Sequence, residues 1–320
     1  MKINTTLSGT TFLIFFLIGA IDSSYSQKSY SKEFGIKSDN DLYTSTYYDR
    51  YYTNGTFLYF RYVSNRSTIK KINEFEIGQK MYTPQLSSPD SPTIIDRPYA
   101  GYSYLKYSLM FFSKKNYALK SSFEFGVLGP KAMAEEAQEI IHDIYGFNPS
   151  KGWEDQIQNT LGINMDFQFT KPFSDIQKKH LDFTSVTSLK IGTIVSELTT
   201  NIYGRINLVN KPLNFYHNST LFESNLNRDK ASQKKELFLF FKPQLGFALY
   251  NATIEGSLFN DDSPITYAIN AFIYELEFGI KYAIKRFDLS YSIIKHSNKT
   301  EEIEDNTNTY GTIKIGYKFN

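Results

Sequence analysis

The sequence predicts an all-β protein: a transmembrane antiparallel β-barrel of about twelve strands with a short helix in one loop. Three observations carry that prediction. The first is composition. The 320 residues include 25 Tyr, 27 Phe and 1 Trp, so 17% are aromatic, yet only 41% are hydrophobic and mean hydropathy is −0.38. A wall with one greasy and one wet face has that balance. The second is strict alternation of apolar and polar residues. The third is an export signal at the N-terminus, with no later run of the ~20 apolar residues a spanning helix requires.

Taken along the chain, Lys2 precedes the apolar run Phe12–Ile21, and Ser24-Tyr25-Ser26 follows it. This is the pattern of a secretory signal peptide cleaved before Gln27, giving a signal segment 1–26 and one barrel domain 27–320. Strands are expected near 32–41, 54–65, 70–82, 101–113, 117–129, 161–171, 181–193, 197–209, 236–250, 268–284, 286–297 and 308–319. The fifth shows the period clearly: Leu119, Ser121, Phe123, Phe125 and Val127 alternate with Lys120, Ser122, Glu124 and Gly126. The tenth repeats it with Phe272, Tyr274, Leu276, Phe278, Ile280 and Tyr282 on one face and Glu275, Glu277 and Lys281 on the other. Membrane strands of ~9–11 residues place the apolar set toward lipid and the charged set toward the lumen. An even count returns both termini to the periplasmic side, in the outer membrane of a Gram-negative cell. The polar stretch 210–235 is expected to be an outer loop.

Charge and cysteine content exclude several functions. Lys plus Arg number 35 and Asp plus Glu 33, a net charge of +2, so no basic surplus exists to bind nucleic acid. Cysteine is absent, which removes disulfides, thiolate-bound zinc, iron–sulfur clusters and thiol catalysis.

The segment 129–146 breaks the period of two. Pro130 opens a helix, Glu135 and Glu136 occupy its early turns, and Gly146 stops it. At 100° per residue Glu135, Gln138, Glu139, His142 and Tyr145 share one face, while Ala137, Ile140, Ile141 and Ile144 share the other. His142 therefore lies on the polar side. Its ordinary pKa near neutrality suits a general base, although spacing alone favours a solvated surface histidine. Ser38-Asp39-Asn40-Asp41 and Asp49-Arg50-Tyr51-Tyr52-Thr53-Asn54-Gly55 gather carboxylate, amide and hydroxyl oxygens at one rim. Such oxygens suit a hard cation such as calcium; ordinary Asx and Gly turns account for them as well. No Gly-x-Ser-x-Gly elbow and no His-Glu-x-x-His zinc motif occurs.

Taken together, these segments resemble the lipid A 3′-O-deacylase family of outer-membrane barrels. The matching text is Asn40-Asp41, Asp49 to Gly55, Asp96-Arg97-Pro98-Tyr99-Ala100-Gly101, Gly126-Val127-Leu128-Gly129-Pro130, Glu135-Glu136-Ala137-Gln138 with His142, and Lys151-Gly152-Trp153-Glu154-Asp155-Gln156. It covers roughly 35–165, and the remainder matches as alternating strands. The resemblance implies a twelve-stranded monomer that hydrolyses the 3′-linked acyloxyacyl ester of lipid A in the outer leaflet, with calcium. It matches Asn40, Asp41, Thr53 and His142 to the family's site, with His142 as base and Asn40 and Asp41 at the metal. Two positions depart from the family's pattern: Asn148 stands where it has a glutamate, and 83–95 contains no Lys or Arg. The alternative readings are a pore or scaffold without chemistry, and a barrel phospholipase with a serine nucleophile.

Overall fold

The computed structural model describes residues 29–44, 50–64, 69–85, 95–146, 151–173, 180–227, 235–303 and 308–320. The signal segment, Asp49 and Asn148 lie outside them. Twelve strands are present: β1 (Lys32–Asn40), β2 (Tyr51–Ser64), β3 (Lys70–Thr83), β4 (Ala100–Phe112), β5 (Ala118–Leu128), β6 (Thr160–Pro172), β7 (Leu181–Gly192), β8 (Val195–Asn207), β9 (Glu236–Asn251), β10 (Phe272–Ile284), β11 (Phe287–His296) and β12 (Asn308–Phe319). Each pairs antiparallel with the next, and β1 also pairs with β12, so the sheet closes into a barrel. The closing register runs from Lys32 opposite Phe319 to Asn40 opposite Gly311. Both ends of the barrel domain therefore meet at one rim, called here the terminal end. The expected strands are all observed. The largest differences are a second strand that begins at Tyr51 and a tenth that begins at Phe272.

The alternation resolves into an apolar outside and a charged inside. Phe34, Ile36, Leu58, Phe75, Ile77, Leu105, Phe123 and Phe125 are exposed, whereas Glu33, Arg61, Glu74, Glu124, Lys281 and Asp288 are buried. A water-soluble barrel would hide the first set at ~25 cal/mol per Å²; a barrel set in lipid leaves it outward. Among the described residues no helix is long and apolar enough to cross a membrane, so the crossing is made by strands.

The lumen is crossed by ion pairs. Arg61 on β2 donates to Glu33 of β1 at 3.0 Å, to Glu74 of β3 and to Glu223 at 2.6 Å, and stacks 4.0 Å over the Tyr59 ring. Lys314 of β12 donates to the same Glu223 at 2.5 Å, and Lys120 of β5 lies 3.7 Å from it. Glu223 itself belongs to the long connection between β8 and β9. That connection overturns the expectation of an outer loop at 210–235. Eight strands precede it, an even number, so it leaves from the terminal end and folds into the barrel mouth there. Tyr216 donates to the carbonyls of Tyr117 at 3.0 Å and Ser113 at 3.3 Å. Lys70 donates to His217 O at 2.8 Å and Asn218 Oδ1 at 3.1 Å. Asn227 N–H meets Tyr30 O at 2.8 Å. The polar groups of the segment satisfy lumen groups, while Tyr216, Phe222 and Leu226 pack against Val63, Ile72, Phe112, Ala118 and Val186. Residues 228–234 of it lie outside the described set.

Arg61→Met should leave Glu33, Glu74 and Glu223 without their shared cation. Loss of one partner from a buried ion cluster costs about 3–5 kcal/mol, so the folded, heat-modifiable band on a gel should vanish at markedly lower urea than for the unaltered barrel.

Candidate active site

The candidate residues sit at the end of the barrel opposite the termini. β1 stops at Asn40, whose Oδ1 accepts the Leu42 N–H at 2.8 Å. This caps a single 3₁₀ turn, Asp41–Thr44, and Thr44 Oγ1 closes it by donating to Asp41 O at 2.8 Å. Asp41 is 2% exposed, and its Oδ2 accepts the Arg50 N–H at 3.0 Å. The turn chemistry read from the sequence is thus real. The turn folds against the outside of the wall: Tyr43 packs over Gly311, where a Cβ would lie 2.5 Å from Tyr43 Cβ, and Tyr43 O accepts from Tyr291 Oη at 2.8 Å.

Thr53 reaches this face through a β-bulge. On β2, Tyr52 pairs with Tyr82 and Asn54 with Met81, leaving Thr53 as the extra residue. A bulge re-aims a side chain that strict alternation would fix. Thr53 Oγ1 lies 2.5 Å from Thr83 Oγ1, and Thr83 shares its pleat with the exposed Ile77. The start of β2 is held by Tyr51, whose hydroxyl donates to Asp96 Oδ2 at 2.6 Å, while Gln85 N–H donates to Asp96 Oδ1 at 2.9 Å. Burial pushes the Asp96 carboxyl above its usual pKa, against the hydrogen bonds it accepts. The next residue turns the other way: Arg97 stacks 4.2 Å over Tyr82 and donates to Thr253 Oγ1 at 2.7 Å. Burial lowers its guanidinium to about 10.

His142 comes from α1 (Ala134–Tyr145). A 3₁₀ turn, Pro130–Ala132, precedes it, and Met133 between them takes a left-handed conformation at φ 56°. Gly146 ends α1 at φ 72°, its N–H on His142 O, as the sequence predicted. The 3₁₀ turn lies on the outer wall. Gln79 and Ser103, in the same pleat as the exposed Ile77 and Leu105, donate to Ala132 O at 2.7 and 2.8 Å. Above them Gly101 admits Ala134; a Cβ there would lie 2.4 Å from Ala134 Cβ.

The face by which α1 packs corrects the sequence expectation. Ile140 and Ile144, expected on the buried side, are 62% and 73% exposed. Gln138, expected on the polar side, is buried and accepts the Trp153 indole N–H at 2.7 Å. Met81, Tyr99, Ala134 and Trp153 form one cluster with Ala137 beside them, so small residues and a satisfied amide make the contact. Isoleucines could not approach so closely over a glycine. His142, one turn beyond Gln138, is half-buried at the edge of that contact.

The structure therefore places Asn40, Asp41, Thr53 and His142 on one outer face at one end. The Asp41–Thr44 turn covers β12 and β1 on one side, α1 covers β3 and β4 on the other, and Thr53 lies on β2 between them. Thr83, Tyr51 and Asp96 complete this floor. Tyr51 and Asp96 fall within the motifs quoted above, whereas a lone threonine at a strand end gave Thr83 no signal. Among the described residues no group of three or more His, Cys, Asp or Glu is gathered to hold a metal. The Asn40, Asp41 and Thr53 oxygens include one carboxylate, a set that fits a loosely held hard cation and not a thiophilic one.

Gly101→Val should push α1 off the wall without opening the barrel. Trp153 is the sole tryptophan and is 1% exposed, so its fluorescence should shift to the red while the heat-modifiable band persists. Overpacking of this kind costs about 1–3 kcal/mol.

The barrel is similar in structure to LpxR from Salmonella typhimurium, with a TM-score of 0.72 and 19% identity over 90% of this chain and 100% of that one. The β-domain of the Bordetella autotransporter BrkA follows at a TM-score of 0.46 and 7% identity, covering 91% of this chain and 100% of that one. No curated protein matches the sequence. A family profile described as "Outer membrane protein LpxR" matches residues 11–319, nearly the whole chain, and the protein belongs to that family of outer-membrane barrels.

Proposed function

We propose that this protein is an outer-membrane lipid A deacylase, acting as a monomer on the 3′-linked acyloxyacyl ester with His142 as general base. The observation that carries the reading is the placement of the candidate residues on the lipid-facing side of the wall, at the end away from the termini. A lipid that stays in its leaflet can reach that face and cannot reach the lumen. A site for a soluble substrate has no reason to be there.

In this reading His142 removes a proton from a water molecule as that water adds to the ester carbonyl. The C–O bond to the sugar then breaks, the acyl group leaves as a carboxylic acid, and His142 returns its proton to the sugar oxygen. Thr53 positions the ester on the floor between the turn and α1. Asn40 and Asp41 are the residues that would hold a calcium ion, which when bound supplies positive charge for the oxyanion. Gln138 and Trp153 keep α1, and with it His142, against the wall. A second reading, a family barrel without chemistry, is favoured by Asn148 in place of the family's glutamate and by the absence of Lys and Arg from 83–95.

The deciding experiment is a mass profile of lipid A from cells with and without this chain. Deacylation should appear with the chain and stop with His142→Ala, whose rate should fall ~10²–10⁴-fold at matched outer-membrane abundance. His180→Ala, His217→Ala and His296→Ala should keep the rate. No deacylation by the unaltered protein, with calcium and 3′-acylated lipid supplied, would favour the second reading.

The metal assignment has its own test. Chelation should stop turnover and calcium should restore it, and Asp41→Ala should raise the calcium needed. Undiminished turnover in excess chelator would remove the cation from the reaction.

A further inference from the structure

We infer that Thr83 is a positioning residue for the reaction, acting through Thr53; the inference rests on the deacylase reading above. Three features of the geometry point to it. Thr53 is the unpaired residue of the β2 bulge, so the sheet ladder alone does not fix its side chain. The Thr53 and Thr83 hydroxyls are 2.5 Å apart, a close O–H···O contact. Both residues are almost fully buried, at 5% and 2% exposed, so water is a poor substitute for either partner.

A threonine hydroxyl has one donor and two acceptor directions, and its proton turns freely unless a neighbour fixes it. Bonding to Thr83 spends one direction and leaves Thr53 the others for the substrate. If Thr83 donates, Thr53 keeps its proton for the ester, and if Thr53 donates, it offers the ester its lone pairs; in both cases the contact with Thr83 fixes the rotation of the Thr53 hydroxyl. Thr83 stands at the last residue of β3, opposite Tyr51, and Tyr51 is tied to Asp96 at 2.6 Å. The bulge is thus held at its entry through Asp96 and at its centre through Thr83. A backbone hydrogen bond could not do the second task, because Thr53 lies outside the register. A small misplacement of a reacting group can cost up to ~10²-fold in rate, which is the scale of effect this contact can have.

The test compares Thr83→Val, Thr83→Ser, Thr53→Val and the double Thr53→Val/Thr83→Val protein, each purified as the full barrel and assayed on 3′-acylated lipid A with calcium. Thr83→Val keeps the shape and removes the hydroxyl. It should lower kcat by ~10–100-fold with little change in KM. Thr83→Ser, which restores the hydroxyl, should return most of the rate. The double variant should be no slower than Thr53→Val alone, because both act through one group. A urea titration of the heat-modifiable band for the same four proteins measures the coupling of the two hydroxyls without any turnover, and the two losses of stability should be non-additive. Wild-type kcat in Thr83→Val beside an impaired Thr53→Val, or multiplying effects in the double variant, would overturn the inference and leave the deacylase reading standing. Wild-type kcat in both Thr53→Val and His142→Ala would overturn the assignment of the site and this inference with it, whereas no turnover by the unaltered barrel would overturn the deacylase reading itself.

Discussion

The pairing of β1 with β12 is the interaction on which the rest of the structure depends. Between acyl chains no water can satisfy a peptide group, so an open sheet edge is not tolerated there. β1 has nine residues and is bonded along its length to β2 on one side and β12 on the other. Closure then dictates two surfaces. The outside must be apolar, and the inside receives the charged groups that the alternation sends there, which pair with one another or face the lumen.

In the lumen, charges come from many strands and one borrowed segment. Arg61 joins β1, β2 and β3 through Glu33 and Glu74, and Lys242 joins β9 to β10 through Glu275 and Glu277, each at 2.9 Å. Glu223 enters from the β8–β9 connection and meets cations from β2, β5 and β12. It does so from a left-handed backbone conformation, φ 59°, which is unusual for a residue with a side chain. The interior is therefore braced across the lumen by ion pairs, and the candidate residues lie on the exterior of the wall.

On that exterior the candidate site is assembled from departures from regular structure. A strand end becomes a capped turn at Asn40, a bulge releases Thr53 from the alternation, and the β5–β6 connection returns down the outer wall before rising as α1. Each departure brings polar groups to a face that is otherwise apolar. Each is also tied in place: the turn by Arg50 N–H and Tyr43, the bulge by Thr83 and Asp96, and the helix by Gly101, Gln138 and Trp153. Polar groups beside lipid must be satisfied or engaged with substrate, which accounts for so many short contacts in so small an area.

The sequence by itself determined the strands, their number, the rim at which the termini meet and the helix stop at Gly146, because period-two alternation and turn chemistry are local. It also singled out Asn40, Asp41, Thr53 and His142, through motifs recognised by resemblance. It did not determine which face of α1 packs. The helical wheel favoured Ile140 and Ile144, but the wall beneath is Gly101, and close approach there selects Ala134, Ala137 and an amide that Trp153 satisfies. It did not reveal Thr83, which has no motif and matters only because a bulge on another strand brings Thr53 to it. The destination of 210–235 needed the strand parity and the unmet charges of the lumen together. In each case the deciding quantity was a contact between residues distant in the chain. Only the closed barrel fixes such contacts, because closure sets which strands are neighbours and which of their side chains meet.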